Sequence, residues 1–274
     1  MTQSPLNKDL IARPDLWRLS LGISDDALDV VARPVTGEGE MITARIATGA
    51  PTAAALEEAV YANPLLLAQF GKVDVVVRTR SYVIVPPDVA GDDEAVAALS
   101  AVTGDGDDSA SERFVSPVDK HNAIVARIDA KTANFLRRTF DTAVPVHHLS
   151  VLARYFAGRS VLGNTGKIYV ALRDDSADVV AFNSLGLAAA TTFASPVTAD
   201  IAYYVLAVAK LSGHDVSSDE FLLAGDPARR ADLTRELQRF AGYVMPAIFP
   251  TALLAAGRAA MSAPLELTVL PLCE

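Results

Sequence analysis

Apolar and polar residues alternate in a segment near the start of the chain. Between residues 15 and 24 the apolar positions fall on one face, and Arg18, Ser20, Gly22 and Ser24 fall on the other. A period of two predicts a half-buried strand. Asp25 and Asp26 predict a tight turn into a second apolar run at 28–33, and glycines precede a third strand at 41–47. A helical period then covers 52–62, and strands are predicted at 73–77 and 82–85.

The same order of elements returns in the second half of the chain. Strands are predicted at 168–172, 178–182 and 185–193, followed by a helix after Ser195-Pro196 and a strand at 220–224. Three strands, a helix and a strand therefore occur twice. This is the order of a ribonuclease-H-like domain, and two in tandem give an actin-like arrangement. The sequence thus predicts an α/β fold with mixed sheets, divided into halves 1–162 and 163–274.

The segment between these repeats contains one stretch with almost no apolar residues. Residues 103–112 (TGDGDDSASE) predict a flexible acidic loop, because they cannot offset their ordering entropy by burial. A calcium-binding loop counted from Asp105 would need glycine and glutamate where Ala110 and Ser116 stand. Further strands are predicted near 122–128 and 143–147, with helices near 131–140 and 149–156.

Composition and charge exclude several functional classes. With 33 acidic and 24 basic residues the net charge is −9, which argues against a nucleic acid as partner. The single Cys273 excludes an intramolecular disulfide and a cysteine-based metal site. Prolines and charges interrupt the apolar region 244–272, so a buried C-terminal helix plus tail is expected there, and no membrane span. Residues 1–12 lack a signal peptide, which predicts a cytoplasmic protein.

Several segments resemble an uncharacterised family from Bacteroidetes, domain of unknown function family 3822. They are ANPLLLAQFGKVDVVV, YVIVPPDV, VVAFNSLGLAAATTF, DIAYYVLAVAKL and DEFLLAGD. The resemblance extends over most of the chain and implies an actin-type ATPase fold without an established activity. It agrees with the duplication seen in the pattern of elements.

The actin-like resemblance implies that nucleotide phosphates would lie between two strand hairpins. The first hairpin of that superfamily has an aspartate, a glycine two residues later and then a hydroxyl residue. In the matching stretch LSLGIS, Gly22 and Ser24 are retained, but Ser20 stands where the aspartate is expected. A neutral hydroxyl cannot supply the missing charge.

The second hairpin departs further from the superfamily pattern. In VALRDDSADVV, Ala171 takes the place of the leading aspartate, and 173–175 (Arg-Asp-Asp) fill the glycine positions, while Asp178 could align with the closing aspartate. Two carboxylates there would repel a polyphosphate. The later stretch LLAGDPARR keeps a strand, Gly225 and a helix start. If a nucleotide cleft persists, we expect Gly22, Ser24, Ser176 and Gly225 to line it.

Other catalytic or metal-binding patterns are weak. His147 and His148 are adjacent on a predicted strand, so we expect one packed and one solvated imidazole and no chelate. The stretch 163–167 (GNTGK) lacks the first glycine and the hydroxyl residue of a phosphate loop.

The sequence therefore favours an uncharacterised, catalytically degenerate actin-like protein without cofactor, metal or catalytic residues. Such a protein would act by binding a partner protein or by self-association. The alternative is a nucleotide-binding ATPase or kinase-like switch with altered phosphate motifs, which would use ATP and Mg²⁺.

Overall fold

The computed structural model describes residues 6–37, 39–103, 110–140, 143–160, 165–248 and 250–273. The chain forms two compact units. The first contains Met1–Ser150 and Thr251–Ala263, and the second contains Val151–Pro250 and Pro264–Glu274. The boundary expected after residue 162 lies outside the described residues and stays a prediction.

The elements of the first unit follow the predicted order, apart from a helix at 93–103 and a strand at 111–117, which were not predicted. They are β1 (Trp17–Ile23), β2 (Ala27–Pro34), β3 (Ile42–Ala47), α1 (Ala53–Tyr61), β4 (Lys72–Val77), β5 (Tyr82–Val85), α2 (Asp93–Thr103), β6 (Ser111–Pro117), β7 (Ala123–Asp129), α3 (Ala130–Thr139) and β8 (Pro145–His147). A later helix, α7 (Arg258–Ser262), also belongs to this unit. The helix α4 (His148–Ser160) follows β8 and continues past the residue at which the units divide.

The main sheet of the first unit has the strand order β3-β2-β1-β4-β8. The pairs β3–β2 and β2–β1 are antiparallel, whereas the pairs β1–β4 and β4–β8 are parallel. Leu19 and Leu21 of β1 project into the core that α1 and α3 cover, where Leu56 and Phe135 are buried. The apolar side chains of β1 face this core at every second position, which explains the period of two in the sequence.

The second unit repeats this sheet. Its strands are β9 (Lys167–Leu172), β10 (Ser176–Asn183), β11 (Gly186–Ala194), β12 (Glu220–Ala224) and β13 (Tyr243–Pro246), in the order β11-β10-β9-β12-β13. The helices are α5 (Thr198–Leu211), α6 (Pro227–Leu237) and α8 (Leu265–Val269). The five-stranded order matches that of the first unit, so the predicted duplication and mixed α/β fold class are confirmed.

A second sheet distinguishes the first unit. Its order is β5-β7-β6, and α2 packs on it through Ala95 and Leu99. Residues 111 and 112, expected to be in the flexible loop, are the start of β6, where the side chain of Glu112 pairs with Arg137 of α3. Residues 104–109 of that expected loop lie outside the described residues.

The C-terminal region is less regular than expected. One buried helix plus tail was predicted for 244–272, but the region contains β13, α7, α8 and short 3-10 segments. Pro246 ends β13, and Pro264 lies between α7 and α8, because a residue without an N–H cannot donate within a helix or a strand ladder. Among the described residues, no helix is long and apolar enough to cross a membrane.

Candidate functional site

The hairpin between β1 and β2 places the first two predicted site residues. Gly22 is paired with Asp29 of β2 and Val76 of β4, in the middle of the sheet. The backbone N–H of Ser24 donates to the carbonyl of Ala27 at 3.0 Å, and its hydroxyl contacts the same carbonyl at 3.0 Å and Asp26 Oδ1 at 3.1 Å. Ser24 therefore fixes the turn that follows β1.

The position that lacks the superfamily aspartate is part of a buried polar cluster. Ser20 is buried, and its hydroxyl donates to Asp74 Oδ2 at 3.3 Å across the β1–β4 pair. Asp74 is also paired with Arg18, whose Nη2 donates to Oδ1 at 2.9 Å. The half-buried strand expected here is thus buried on both faces. Mutual pairing is what allows Arg18 and Asp74 to lie inside a sheet.

The equivalent hairpin of the second unit holds a larger cluster. Arg173 Nη2 donates to Asp178 Oδ2 at 2.8 Å and contacts Glu266 Oε2 at 3.0 Å. Thr192 Oγ1 donates to the other oxygen of Asp178 at 2.7 Å. Burial disfavours the guanidinium charge, but the attraction of Glu266 and Asp178 outweighs it and raises the pKa of Arg173. The guanidinium therefore stays charged at every ordinary pH.

The other two predicted site residues lie near the end of β9. The carbonyl of Ser176 accepts the N–H of Arg173 at 2.9 Å, and its hydroxyl donates to Asp175 Oδ1 at 2.9 Å. Gly225 has φ +109°, and a Cβ added there would lie 2.4 Å from the carbonyl oxygen of Leu172. Glycine is required because the chain turns from β12 into α6 directly against the end of β9.

Gly22 and Ser24 therefore lie at the end of β1 in the first unit, and Ser176 and Gly225 lie near the end of β9 in the second. Sequence reasoning missed the partners Asp74 and Glu266. The only sequence signal for Asp74 was a charged residue inside an apolar strand, and the only one for Glu266 was a charged residue inside an apolar C-terminal segment.

A small cleft opens beside the first hairpin, within the first unit. Its volume is about 130 Å³. It lies where β1, β4 and β7 end and where α1 and α3 begin. Ser24 lines it and Gly22 is not among its lining residues, which are Ile23, Ser24, Asp25, Ala27, Thr48, Ala50, Pro51, Thr52, Leu56, Val77, Arg78, Thr79, Arg127, Ile128, Asp129 and Thr132.

The histidine pair is buried, contrary to the expectation of one solvated ring. His147 ends β8 and His148 begins α4, so the alternation of a strand does not separate them, and their ring centroids are 4.5 Å apart. His147 Nε2 is 3.0 Å from the carbonyl of Thr79, and Nδ1 accepts the N–H of Leu149 at 3.3 Å. Among the described residues, no group of three or more side chains could hold a metal ion.

Two solved structures share this fold. A Bacteroides thetaiotaomicron protein with an actin-like ATPase fold and unknown function is 20% identical, with a TM-score of 0.76 over 89% of this chain and 96% of that one. A chain of the PilM-PilN type IV pilus biogenesis complex is 13% identical, with a TM-score of 0.55 over 93% of this chain and 97% of that one.

Both likenesses show an actin-like ATPase fold, and at these identities they show the fold alone. No curated protein matches the sequence. The model of a family described as protein of unknown function (DUF3822) matches residues 2–244, which is nearly the whole chain. The chain therefore belongs to the DUF3822 family.

Proposed function

We propose that this protein is a cytoplasmic, catalytically inactive member of the actin-like fold that works by binding a partner protein or a second copy of itself. The observation that carries the proposal is the cluster at the second hairpin. Arg173 is held between Asp178 and Glu266, with its backbone N–H bonded inside the turn. A polyphosphate would need that cation and the backbone N–H of Arg173, and both are already engaged.

The first hairpin supports the same proposal. Ser20 replaces the expected aspartate, and its hydroxyl donates a hydrogen bond to Asp74, whose charge Arg18 neutralises. A metal-bound water would need a charged carboxylate here to orient it. A fold can be retained after the catalytic residues of its site are lost, so an intact duplicated core is compatible with a binding role. The structural neighbour from the PilM-PilN complex is a precedent for a protein of this fold in a multiprotein assembly.

The alternative is a nucleotide-dependent switch with altered motifs. It is favoured by one observation, the retained order of strand β12, Gly225 and helix α6. At the start of α6, the N–H groups of Ala228 and Arg229 donate to Asp226 Oδ1 at 3.0 Å, so a phosphate would have to displace that carboxylate. ATP and Mg²⁺ would then bind at Gly22, Ser24, Ser176 and Gly225.

A thermal melt with millimolar ATP, ADP or GTP, each with Mg²⁺, separates the two functions. A ligand at one hundred times its dissociation constant adds about 2.7 kcal/mol to the stability. We expect no shift with any nucleotide. A reproducible rise that depends on Mg²⁺ would refute the inactive, partner-binding function and favour the switch.

Replacement of Ser20 sharpens this test. Ser20→Asp restores the superfamily carboxylate but puts it beside Asp74, so we expect a loss of about 3 kcal/mol and still no nucleotide binding. Ser20→Ala is the matched control, with an expected loss of about 1 kcal/mol. A gain of nucleotide affinity in Ser20→Asp would show that one substitution had inactivated a functional pocket.

A further inference from the structure

Helix α5 of the second unit has large apolar side chains on its solvent-facing side. Its inner face contains Ile201, Val205 and Val208, which are buried in the core of that unit. On the outer face Tyr203 is 68% exposed, and Leu211, the last residue of the helix, is 88% exposed. Single exposed apolar residues are ordinary, whereas a group of them on one helix face marks an interaction surface.

Tyr203 is the outermost of three aromatic rings in contact. Phe193 of β11 stacks on Tyr204 with the ring centroids 4.6 Å apart, and Tyr204 contacts Tyr203 edge-on with the centroids 5.6 Å apart. The contact restrains the Tyr203 ring and leaves most of it exposed. A side chain that is already restrained loses less entropy when a partner covers it.

The outer face of α5 has the residue spacing of a helix that packs against another helix. Asp200, Tyr203, Ala207 and Lys210 follow one another at intervals of three, four and three residues, which places them in one stripe, the α5 stripe. Asp200, Tyr203 and Lys210 are exposed, and Ala207 is partly buried. The α5 stripe is therefore apolar in the middle, with an acid at one end and a base at the other.

The α5 stripe is complementary to itself in one arrangement. Residues 200 and 210 have the same midpoint as residues 203 and 207, at residue 205. A two-fold axis at that level sets two α5 helices antiparallel, with Asp200 facing the partner's Lys210 and Tyr203 facing the partner's Ala207. A large ring then meets a small side chain, which lets two helices approach closely, and each charge meets its opposite.

The charges around the α5 stripe favour this occupant. Lys210 forms no ion pair with the described residues, and the exposed carboxylate of Asp200 accepts from a neutral group, Ser195 Oγ, at 2.9 Å. On the neighbouring helix α6, the exposed arginines 235 and 239 pair with acidic residues of the same helix. Because a parallel arrangement would oppose like charges at both ends, the two end charges specify the antiparallel one.

We propose that a second copy of this chain docks on the α5 stripe, so that two α5 helices pack antiparallel in a two-fold dimer. This inference rests on the proposed function, of which it takes the self-associating form and names the surface. A contact along one helix of 14 residues, about 21 Å long, is smaller than the roughly 800 Å² per partner of a standard stable interface. We therefore expect a weak dimer, with a Kd of about 10–100 µM.

Sedimentation equilibrium of the full chain, from about 1 to about 500 µM, measures this dimer. Tyr203→Ala removes the ring at the middle of the α5 stripe and should raise the dimer Kd at least about tenfold. Tyr243→Ala is the matched control, because Tyr243 is also an exposed tyrosine but lies on β13, outside the α5 stripe. The control should leave the dimer Kd unchanged.

Exchange of the two end charges tests the antiparallel register and leaves the Tyr203 ring in place. Asp200→Lys opposes two cations and Lys210→Glu opposes two anions, so each should raise the dimer Kd about tenfold. The double variant Asp200→Lys/Lys210→Glu restores both pairs with their signs exchanged, and its Kd should return to within about threefold of wild type. If the two charges act only on the dipole of their own helix, the two losses add and the double variant dimerises least.

Three results would overturn the proposal. They are a wild type that stays monomeric at every concentration, an equal Kd for wild type and Tyr203→Ala, and a double variant that dimerises more weakly than either single variant. Failure of the proposed function looks different, because a nucleotide would then raise the melting temperature whatever the oligomeric state. A monomeric wild type without that rise would overturn this inference alone, since the proposed function also includes a partner of different sequence.

Discussion

The cluster around Arg173 gives the sharpest test of how the second unit is held together. We consider Arg173→Met, which keeps most of the side-chain volume and removes the charge. The change removes the cation that the buried carboxylates of Asp178 and Glu266 share, while the hydroxyl of Thr192 still donates to Asp178. Breaking a buried ion pair by removal of one partner costs about 3–5 kcal/mol.

Urea unfolding followed by circular dichroism measures this loss. With a slope of about 2 kcal/mol per molar, the midpoint should fall by roughly 2 M. Hydrogen exchange of the peptide that contains 265–269 should accelerate in parallel, because Glu266 of α8 loses its cation. Arg235→Met is the matched control: this arginine is exposed on α6, and its pair with Asp232 should contribute less than about 0.5 kcal/mol.

A triple variant tests whether buried negative charge causes the loss of stability in Arg173→Met. When Asp178 and Glu266 are also replaced, by Leu and Met, most of the lost stability should return, because no charge remains to be buried. The reasoning is refuted if Arg173→Met and Arg235→Met unfold at the same urea concentration. It is equally refuted if the triple variant is less stable than Arg173→Met, since uncompensated charge would then not be the source of the loss.

Two further predictions concern the second unit. Gly225→Ala should lower the free energy of unfolding in urea by at least about 2 kcal/mol, because its Cβ would meet the carbonyl of Leu172. The control Gly213→Ala is also at positive φ but has nothing within 4 Å, so it should lose about 1 kcal/mol. Equal losses would contradict the close approach. Burial raises the pKa of Tyr155 to about 12, so the unfolded chain ionises first and stability falls between about pH 10 and 12. In Tyr155→Phe this loss of stability at high pH should be smaller, and one tyrosine of high pKa should be missing from the absorbance titration at 295 nm. An unchanged titration would refute the assignment of the raised pKa to Tyr155.

Periodicity was sufficient to predict the duplicated core. The alternation in β1 and the turn residues after it are local signals, and they recur at β9 and β10. β13 was missed because Tyr243–Pro246 is a short edge strand, with two exposed residues around one partly buried valine and a proline at its end. Such a strand depends on pairing with β12, which its own sequence does not encode.

The polar clusters were harder to predict for a different reason. Arg18 and Ser20 have the spacing of a solvent-facing strand side, and only their neighbour Asp74, 54 residues or more away, explains why they are buried. Glu266 is similarly remote from Arg173 in sequence. The four residues expected at a nucleotide cleft were found by motif, and their role there stays a prediction.

Each unit neutralises a buried arginine, at different places on its own five-stranded sheet. In the first unit, Arg18 and Asp74 compensate each other between the neighbouring strands β1 and β4; in the second, Arg173 is compensated by Asp178 on β10 and by Glu266 on α8. Each arginine already has a carboxylate partner within its own unit, and this pairing offsets the cost of burying both charges. An incoming phosphate would have to compete with that carboxylate for the arginine. Such closed clusters stabilise a fold without recruiting a ligand.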